Sequence, residues 1–247
     1  MRLLLVNPNT SGFVTDRVAA AARAVARPGT EIVPVNGRFG ARIIGTRTEL
    51  AVAQHAMVDV LARHAGDCDA VVLAVSYDTA LHAAREMLDV PVVGITEAAL
   101  LTACLLGTRI GVIVYGRRTL PLYQELVASH GFTGRIAGWR VLETTAVYGD
   151  GDQAAADAAA IAAANDLVER DFAEVVVLTG AVMAGVPPRL QPSVPVPLLE
   201  GVGLAVRQAE MLVDLKPVKP RCGGYAPLPV RELVDVDPVL AARFGGP

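Results

Sequence analysis

The sequence predicts an α/β protein made of two similar lobes, each with a parallel sheet covered by helices. Short runs of Val, Ile and Leu recur along the chain, and stretches of helix-forming composition separate them. Continuous apolar strands that alternate with helices are typical of parallel sheets buried on both faces. A strand–turn–helix–strand pattern also occurs twice, which indicates that one lobe duplicates the other.

The apolar runs predict seven strands, and the stretches between and after them predict seven helices. The strands are expected at residues 3–6, 32–35, 70–75, 92–95, 110–115, 174–178 and 196–199. The helices are expected at residues 15–26, 47–65, 80–88, 97–106, 119–129, 152–170 and 203–215. The alanine-rich stretch 153–165 has high helix propensity, so we interpret it as a surface helix and not as low-complexity chain.

The internal repeat sets the expected lobe boundaries. VVLAVS at 71–76 is followed by a helix and by VPV at 90–92. VVVLTG at 175–180 and VPV at 194–196 match these segments at a constant offset of 104 residues. We therefore expect residues 1–98 plus about 205–247 in lobe 1 and residues 99–204 in lobe 2.

Composition excludes several classes of protein. With 53 % apolar and 19 % charged residues the chain has ample core material and is not disordered. A net charge of −3 is too mild for binding nucleic acid or a membrane surface. Apolar runs stop well short of the ~18 residues that span a bilayer. Cys68, Cys104 and Cys222 lack disulfide or zinc-site spacing, so we expect a soluble protein of the reducing cytoplasm.

Polar turns follow four of the predicted strands, at residues 7–11, 76–79, 116–119 and 180–183. Ligands bind beyond the carboxyl ends of parallel strands, so two facing lobes bring these turns into one cleft. Backbone N–H groups and hydroxyls there suit a small carboxylate or an imide oxygen. The predicted substrate-binding residues are Asn9, Thr10, Ser11, Tyr77, Thr79, Gly116, Thr119, Thr179, Gly180, Ala181 and Val182. For the first three, the alternative is that they only cap the first helix.

Four segments carry a resemblance to a known family: VNPNTS at 6–11, VPVVGITEAA at 90–99, VLTGAVMA at 177–184 and KPRCGGYAP at 219–227. In these segments the chain resembles the Asp/Glu/hydantoin racemase superfamily, and its hydantoin racemase branch most closely. The resemblance implies two pseudo-symmetric Rossmann-like lobes with the active-site cleft between them. It also implies a small-molecule substrate, no metal, no organic cofactor, and a homo-oligomer that is a dimer, a tetramer or larger.

The two catalytic cysteines of that family are missing. In the family, one thiolate removes the α-proton and a thiol from the other lobe returns a proton to the opposite face. The resemblance implies that Ser76 and Gly180 take the two cysteine positions. A serine hydroxyl without a base is not activated at neutral pH as a thiol is, and glycine offers no group at all. We therefore predict chemistry that does not use a pair of thiols.

Ser76, Asp78 and Tyr115 are the predicted catalytic residues. Asp78 shares the turn with Ser76 and is a candidate general base if it is partly desolvated. The alternative is that its carboxylate caps a helix. Tyr115 lies beside the third polar turn, where it can donate a proton or stack on a planar ring.

Three functions stay open. The first is an isomerase-like enzyme that acts without a cofactor at an acidic carbon of a small carboxylate, an amino-acid derivative or a cyclic ureide. The second is a one-sided decarboxylase, lyase or ring hydrolase of the same superfamily, which a cysteine at position 76 would favour. The third is a catalytically silent protein that binds a small ligand. The orientation of Asp78 and Tyr115 relative to the cleft discriminates between an enzyme and the silent binding protein.

Overall fold

The strands form two four-stranded parallel sheets of equivalent order. The computed structural model describes residues 1–143 and 152–245. Its strands are Arg2–Asn7 (β1), Glu31–Asn36 (β2), Ala70–Leu73 (β3), Val92–Gly94 (β4), Ile110–Tyr115 (β5), Ile136–Leu142 (β6), Val175–Leu178 (β7) and Leu198–Leu199 (β8). Its helices are Gly12–Val25 (α1), Arg47–His64 (α2), Leu81–Met87 (α3), Ile95–Leu106 (α4), Leu120–Ser129 (α5), Gln153–Asp171 (α6), Pro187–Leu190 (α7), Gly201–Leu215 (α8) and Pro238–Ala241 (α9).

The strand order is β2-β1-β3-β4 in lobe 1 and β6-β5-β7-β8 in lobe 2. Every neighbouring pair is parallel. The central strands β3, β5 and β7 are buried along their whole length, because helices cover both faces of each sheet. The predicted α/β fold with two pseudo-symmetric lobes is confirmed.

Strand β6 is absent from the sequence-based prediction. It lies at the edge of the second sheet, and each of its residues is only half-buried, so it lacks a continuous apolar run. Arg140 points to helix α6, where its Nε lies 2.5 Å from Oδ2 of Asp166. Arg140 interrupts the apolar sequence of this edge strand, so the strand does not resemble a buried central one.

The internal repeat is real, but equivalent residues are 105 apart at the valines and 106 apart at the prolines, one and two more than the prediction. The N–H of Val71 donates to the carbonyl of Pro91 in lobe 1, and the N–H of Val176 donates to that of Pro197 in lobe 2, both at 2.9 Å. These equivalent valines are 105 residues apart. The repeated residues in VVV and in VPVP each allow more than one alignment of the two copies. Sequence matching alone therefore aligned the copies in the wrong register.

Helix α8 and the residues that follow it contact lobe 1. Gln208 of α8 donates to the carbonyl of Ala98 at 2.9 Å, which holds the helix against α4. Beyond α8, Lys219 donates to the carbonyl of Glu86 at 2.7 Å and Arg243 donates to that of Ala62. The chain therefore returns to lobe 1 after β8, while the predicted lobe boundaries themselves stay a prediction.

The largest buried apolar cluster joins the two lobes. It contains Leu3 and Val72 from the first sheet together with Ile113 and Val176 from the second. Because interiors pack at the density of organic crystals, a shared core holds the lobes in a defined relation. The edges at which the strands end therefore face each other in a fixed geometry.

Candidate active site

The turns at the strand ends of the two lobes enclose a cleft of about 630 Å³, counted with its opening to solvent. All the residues that line it are uncharged. They are Asn7, Asn9, Val14, Ile43, Ile44, Gly45, Ala74, Val75, Ser76, Tyr77, Tyr115, Thr119, Tyr123, Thr179, Gly180, Ala181 and Val182. Among residues 1–143 and 152–245, the cleft wall therefore offers amides, hydroxyls and backbone groups and no charged side chain.

The structure brings most of the predicted site residues together. Those that line the cleft are Asn9, Ser76, Tyr77, Tyr115, Thr119, Thr179, Gly180, Ala181 and Val182. Those outside its lining are Thr10, Ser11, Asp78, Thr79 and Gly116. Sequence reasoning missed Tyr123, which lies on helix α5, and the segment from Ile43 to Gly45, which belongs to a connection without a helical or strand pattern.

The first turn is organised by its own asparagines. Asn7 donates from Nδ2 to Oδ1 of Asn9 at 2.7 Å, and the same Oδ1 accepts the N–H of Ser11 at 2.9 Å. Ser11 caps helix α1 by accepting the N–H of Val14. Thr10 points its N–H away from the cleft residues, to the carbonyl of Ala41 at 3.1 Å. Capping thus accounts for Ser11, while Asn9 remains in the cleft wall.

Ser76 links the two lobes at the cleft. Its Oγ accepts the N–H of Ala181 at 3.1 Å, and its carbonyl accepts a hydrogen bond from the Thr96 hydroxyl at 2.5 Å. Gly180, with φ +98°, adopts a backbone conformation that side-chain-bearing residues rarely take, and a Cβ there would lie 3.9 Å from the Ser76 Oγ. The hydroxyl proton of Ser76 stays available to a ligand.

The internal symmetry pairs Gly180 with Val75 rather than with Ser76. The N–H of Ala74 donates to the carbonyl of Val6 at 2.8 Å, and the N–H of Thr179 donates to that of Ile113 at 3.0 Å. Ala74 and Thr179 are thus equivalent, and the residues that follow them are Val75 and Gly180. The placement of Ser76 opposite Gly180 as its counterpart is therefore off by one residue, for the same reason as the repeat offset.

None of the three cysteines lies among the described residues of the cleft. Cys68 precedes β3, Cys104 belongs to α4 and Cys222 lies in the tail. Burial raises the pKa of the Cys68 thiol, which makes it a poorer nucleophile.

Tyr115 ends strand β5 with its side chain in the cleft. The residue is 6 % exposed, and its buried hydroxyl has no hydrogen-bond partner in the described part of the chain. Burial raises the pKa of this phenol, and the negative charge of Asp157 acts in the same direction. The group therefore stays protonated and can donate a hydrogen bond to a ligand. The rings of Tyr77 and Tyr123 pack nearby with centroids 4.9 Å apart.

Asp78 is buried behind the cleft. Its Oδ1 accepts the N–H of Thr96 at 2.9 Å and its Oδ2 accepts that of Glu97 at 2.7 Å, so it caps helix α4. Burial raises the pKa of the Asp78 carboxyl, while His130 and these two N–H groups oppose that rise. Thr79 lines a second cavity with Asp78. Gly116, with φ +86°, forms the bend after β5 and donates its N–H to the Leu142 carbonyl at 2.8 Å.

A family model described as Asp/Glu/hydantoin racemase matches residues 3–209, which is most of the chain. The chain belongs to the Asp/Glu/hydantoin racemase family. The match covers every strand except the first residue of β1, and it covers all the cleft residues named above.

Individual relatives support this assignment. The hydantoin racemase of Paenarthrobacter aurescens is 33 % identical, over 87 % of this chain and 92 % of its own length. The allantoin racemase of Pseudomonas fluorescens superposes with a TM-score of 0.90 at 35 % identity, over 95 % of this chain and 100 % of that one. The allantoin racemase from Klebsiella pneumoniae gives a TM-score of 0.88 at 31 % identity, over 98 % of both chains.

Two features are absent from the part of this racemase-family chain that the structure describes. Within residues 1–143 and 152–245, no group of three or more His, Cys, Asp or Glu side chains is arranged to hold a metal ion. No helix in the same ranges is both long enough and apolar enough to cross a membrane.

Proposed function

We propose that the cleft binds a small uncharged cyclic ureide and promotes proton exchange at the ring carbon next to a carbonyl, without a cofactor. Hydantoin racemases and allantoin racemases are similar to this chain over most of its length, and hydantoin and allantoin are both five-membered cyclic ureides. The described residues that line the cleft are all uncharged, which disfavours a dicarboxylate or a free amino acid, because burying a charge without a partner is costly.

The Tyr115 hydroxyl is the observation that carries this proposal. A buried donor without a partner destabilises the free protein, and a ligand that supplies an acceptor removes the penalty. A ring carbonyl is such an acceptor. Loss of the adjacent C–H proton places negative charge on that oxygen, so the hydrogen bond from Tyr115 strengthens as the reaction proceeds. Ser76 contributes a second hydroxyl donor from the opposite lobe.

None of the described side chains that line the cleft is a strong base at neutral pH. Ser76 accepts the Ala181 N–H and has no adjacent imidazole or carboxylate that takes its proton among the residues of the cleft wall. We therefore assign proton removal to water or hydroxide at an acidified carbon, and we expect exchange much slower than a thiol pair provides.

Proton NMR in D₂O tests the proposal. The protein is incubated with hydantoins, allantoin, amino acids, arylmalonates and maleate, beside the Tyr115→Phe variant and a no-protein blank. Exchange at the ring carbon above the blank, reduced in the variant, is the expected result. Exchange equal to the blank in every sample overturns the proposed reaction. New product signals without exchange point instead to decarboxylation, elimination or ring opening.

The lack of a base in the cleft favours one alternative, a catalytically silent ureide-binding protein. In that case hydantoin raises the melting temperature while exchange stays at the level of the blank. If the wild-type protein binds hydantoin but does not promote exchange of its ring proton, the result supports this alternative.

The assembly and cellular location are also part of the proposal. We infer a homo-oligomer in the cytoplasm, with no nucleic-acid or membrane partner. Large apolar side chains on α4 and α8 are exposed in the single chain, among them Leu105 and Leu215. Light scattering after size-exclusion chromatography tests the oligomer: a mass of one 25.8 kDa chain contradicts it.

A further inference from the structure

The turn that carries Ser76 is also held from behind, by a buried contact between the lobes. Asp78 lies two residues after Ser76, and its side chain is completely buried. Its Oδ2 lies 3.4 Å from Nε2 of His130, the residue that ends helix α5 in the other lobe. This turn therefore contacts lobe 2 through Ser76 on its cleft side and through Asp78 on the opposite side.

The backbone is shaped to place this carboxylate. Asp78 has φ +46°, a left-handed conformation that residues with side chains seldom adopt. Gly94 leaves the space that the carboxylate needs, because a Cβ there would lie 2.4 Å from the Cγ of Asp78. Asp78 thus adopts an unusual backbone conformation, and position 94 has no room for a side chain. Together these two features allow the Asp78 carboxylate to contact α4 and His130.

The imidazole of His130 lies between two carboxylates. Its Nδ1 is 4.0 Å from Oε1 of Glu97, and its side chain is 6 % exposed. Glu97 is paired with Arg85, whose Nη1 donates to Oε1 at 3.1 Å. The His82 ring lies 6.5 Å from the His130 ring. Two carboxyl groups, a guanidinium and two imidazole rings therefore meet at this point behind the cleft.

A chain of contacts leads from this cluster to the cleft. Thr96, whose N–H bonds the Asp78 carboxylate, donates its hydroxyl to the carbonyl of Ser76 at 2.5 Å. The Ser76 Oγ in turn accepts the N–H of Ala181. A displacement of Asp78 relative to α4 therefore moves the Ser76 hydroxyl relative to lobe 2.

We propose that His130 is a positioning residue for the cleft: by holding the Asp78 carboxylate, its imidazole fixes the Ser76 hydroxyl against Ala181 of the opposite lobe. What the cleft then binds rests on the proposed function above. The contact itself does not depend on it, so the two can fail separately.

Two substitutions of His130 separate hydrogen bonding from packing. His130→Gln keeps an N–H donor near Asp78, whereas His130→Leu keeps apolar volume and removes the donor. The readouts are the amide resonance of Ala181 in ¹⁵N-labelled free protein and the dissociation constant for hydantoin. We expect His130→Leu to shift the Ala181 resonance and to weaken hydantoin binding about tenfold, because the 3.4 Å contact between Nε2 of His130 and Oδ2 of Asp78 is lost. His130→Gln is expected to restore both.

His64→Leu is the matched control, since His64 is exposed at the end of α2 and lies outside this cluster. It should change neither readout. An unchanged Ala181 resonance in folded His130→Leu overturns the inference, whatever the ligand result. If that variant does not fold, Asp78→Asn replaces it, with the same expected shift. A shifted resonance in a protein that does not bind hydantoin supports the positioning role and contradicts the proposed substrate class.

Discussion

Val75 and Gly180 occupy equivalent positions in the two lobes. Val75 follows Ala74, whose N–H donates to the carbonyl of Val6 in β1. Gly180 follows Thr179, whose N–H donates to the carbonyl of Ile113 in β5. Both line the cleft, and neither carries a group that accepts or donates a proton. The two-fold symmetry that a two-base reaction needs is therefore present in the backbone of this chain but not in its side chains.

This equivalence predicts where thiols restore exchange. The double variant Val75→Cys/Gly180→Cys places two thiols at symmetric positions, and we expect exchange at the hydantoin ring carbon to rise about a hundredfold. Ser76→Cys/Gly180→Cys is the matched control, with thiols at non-equivalent positions. Deuterium exchange by NMR compares the two. A larger gain in the control would show that the internal symmetry does not define the reacting pair. A cysteine at position 180 costs about 1–3 kcal/mol of strain at positive φ, so melting temperatures are measured in parallel.

Tyr115→Phe is predicted to change stability and binding in opposite directions. Removing a buried hydroxyl that has no partner stabilises the free protein by about 1 kcal/mol, while hydantoin binding weakens about tenfold. Urea unfolding and calorimetric titration measure the two effects. Tyr225→Phe serves as the comparison, because the Tyr225 hydroxyl lies 2.6 Å from Nδ1 of His82 and its loss should not stabilise the protein. A destabilised Tyr115→Phe would show that its hydroxyl is satisfied without a ligand.

Ser76→Ala is predicted to loosen the contact between the lobes. The variant loses the hydrogen bond to the Ala181 N–H, and we expect a decrease of about 1 kcal/mol in the free energy of unfolding. Ser129→Ala is the control, since its exposed hydroxyl bonds only to the Leu126 carbonyl of its own helix. Faster amide hydrogen exchange at Ala181 in Ser76→Ala checks the local effect. Equal exchange rates at that amide in wild type and variant would contradict it.

Acid should destabilise the packing of α8 on lobe 1 through Glu210. Burial alone would raise the pKa of this carboxyl, but hydrogen bonds from the Arg27 N–H, the Thr30 hydroxyl and Arg207 outweigh burial and lower it. A lowered folded-state pKa means that the group stabilises the fold above its ordinary pKa of about 4.3 and loses that contribution as pH falls further. Glu210→Gln should lower stability by about 2 kcal/mol at neutral pH and flatten the acid branch of the stability curve. An acid branch as steep as that of wild type would contradict this role.

The α/β fold could be predicted because its signals are local and redundant. Buried central strands such as β3 and β7 are apolar at every position, so their class is unambiguous without knowledge of their neighbours. Strand β6 could not be found in this way, because its residues are only half-buried and Arg140, which pairs with α6, interrupts its apolar sequence. The exact offset between the two copies of the repeat could not be predicted for a related reason. Backbone hydrogen bonds define it, and runs of valine fit several offsets equally well.

The candidate site shows the same limit. Turns that directly follow strands, such as those of Ser76 and Gly180, were placed correctly because the fold dictates where strand ends lie. Asp78 was ambiguous, since a carboxylate in such a turn either faces the ligand or caps a helix, and only the path of α4 decides. Ile43 and Tyr123 reach the cleft from elements whose approach depends on tertiary packing, for which the sequence contains no local signal.

Calorimetric titration of the wild-type protein with hydantoin and, separately, with malonate tests the central claim most directly. At neutral pH the first ligand is an uncharged ring and the second is a dianion of similar size. The uncharged cleft and the free Tyr115 hydroxyl predict measurable binding of hydantoin and none of malonate, with hydantoin binding weakened in Tyr115→Phe. Binding of malonate in preference to hydantoin would contradict the account.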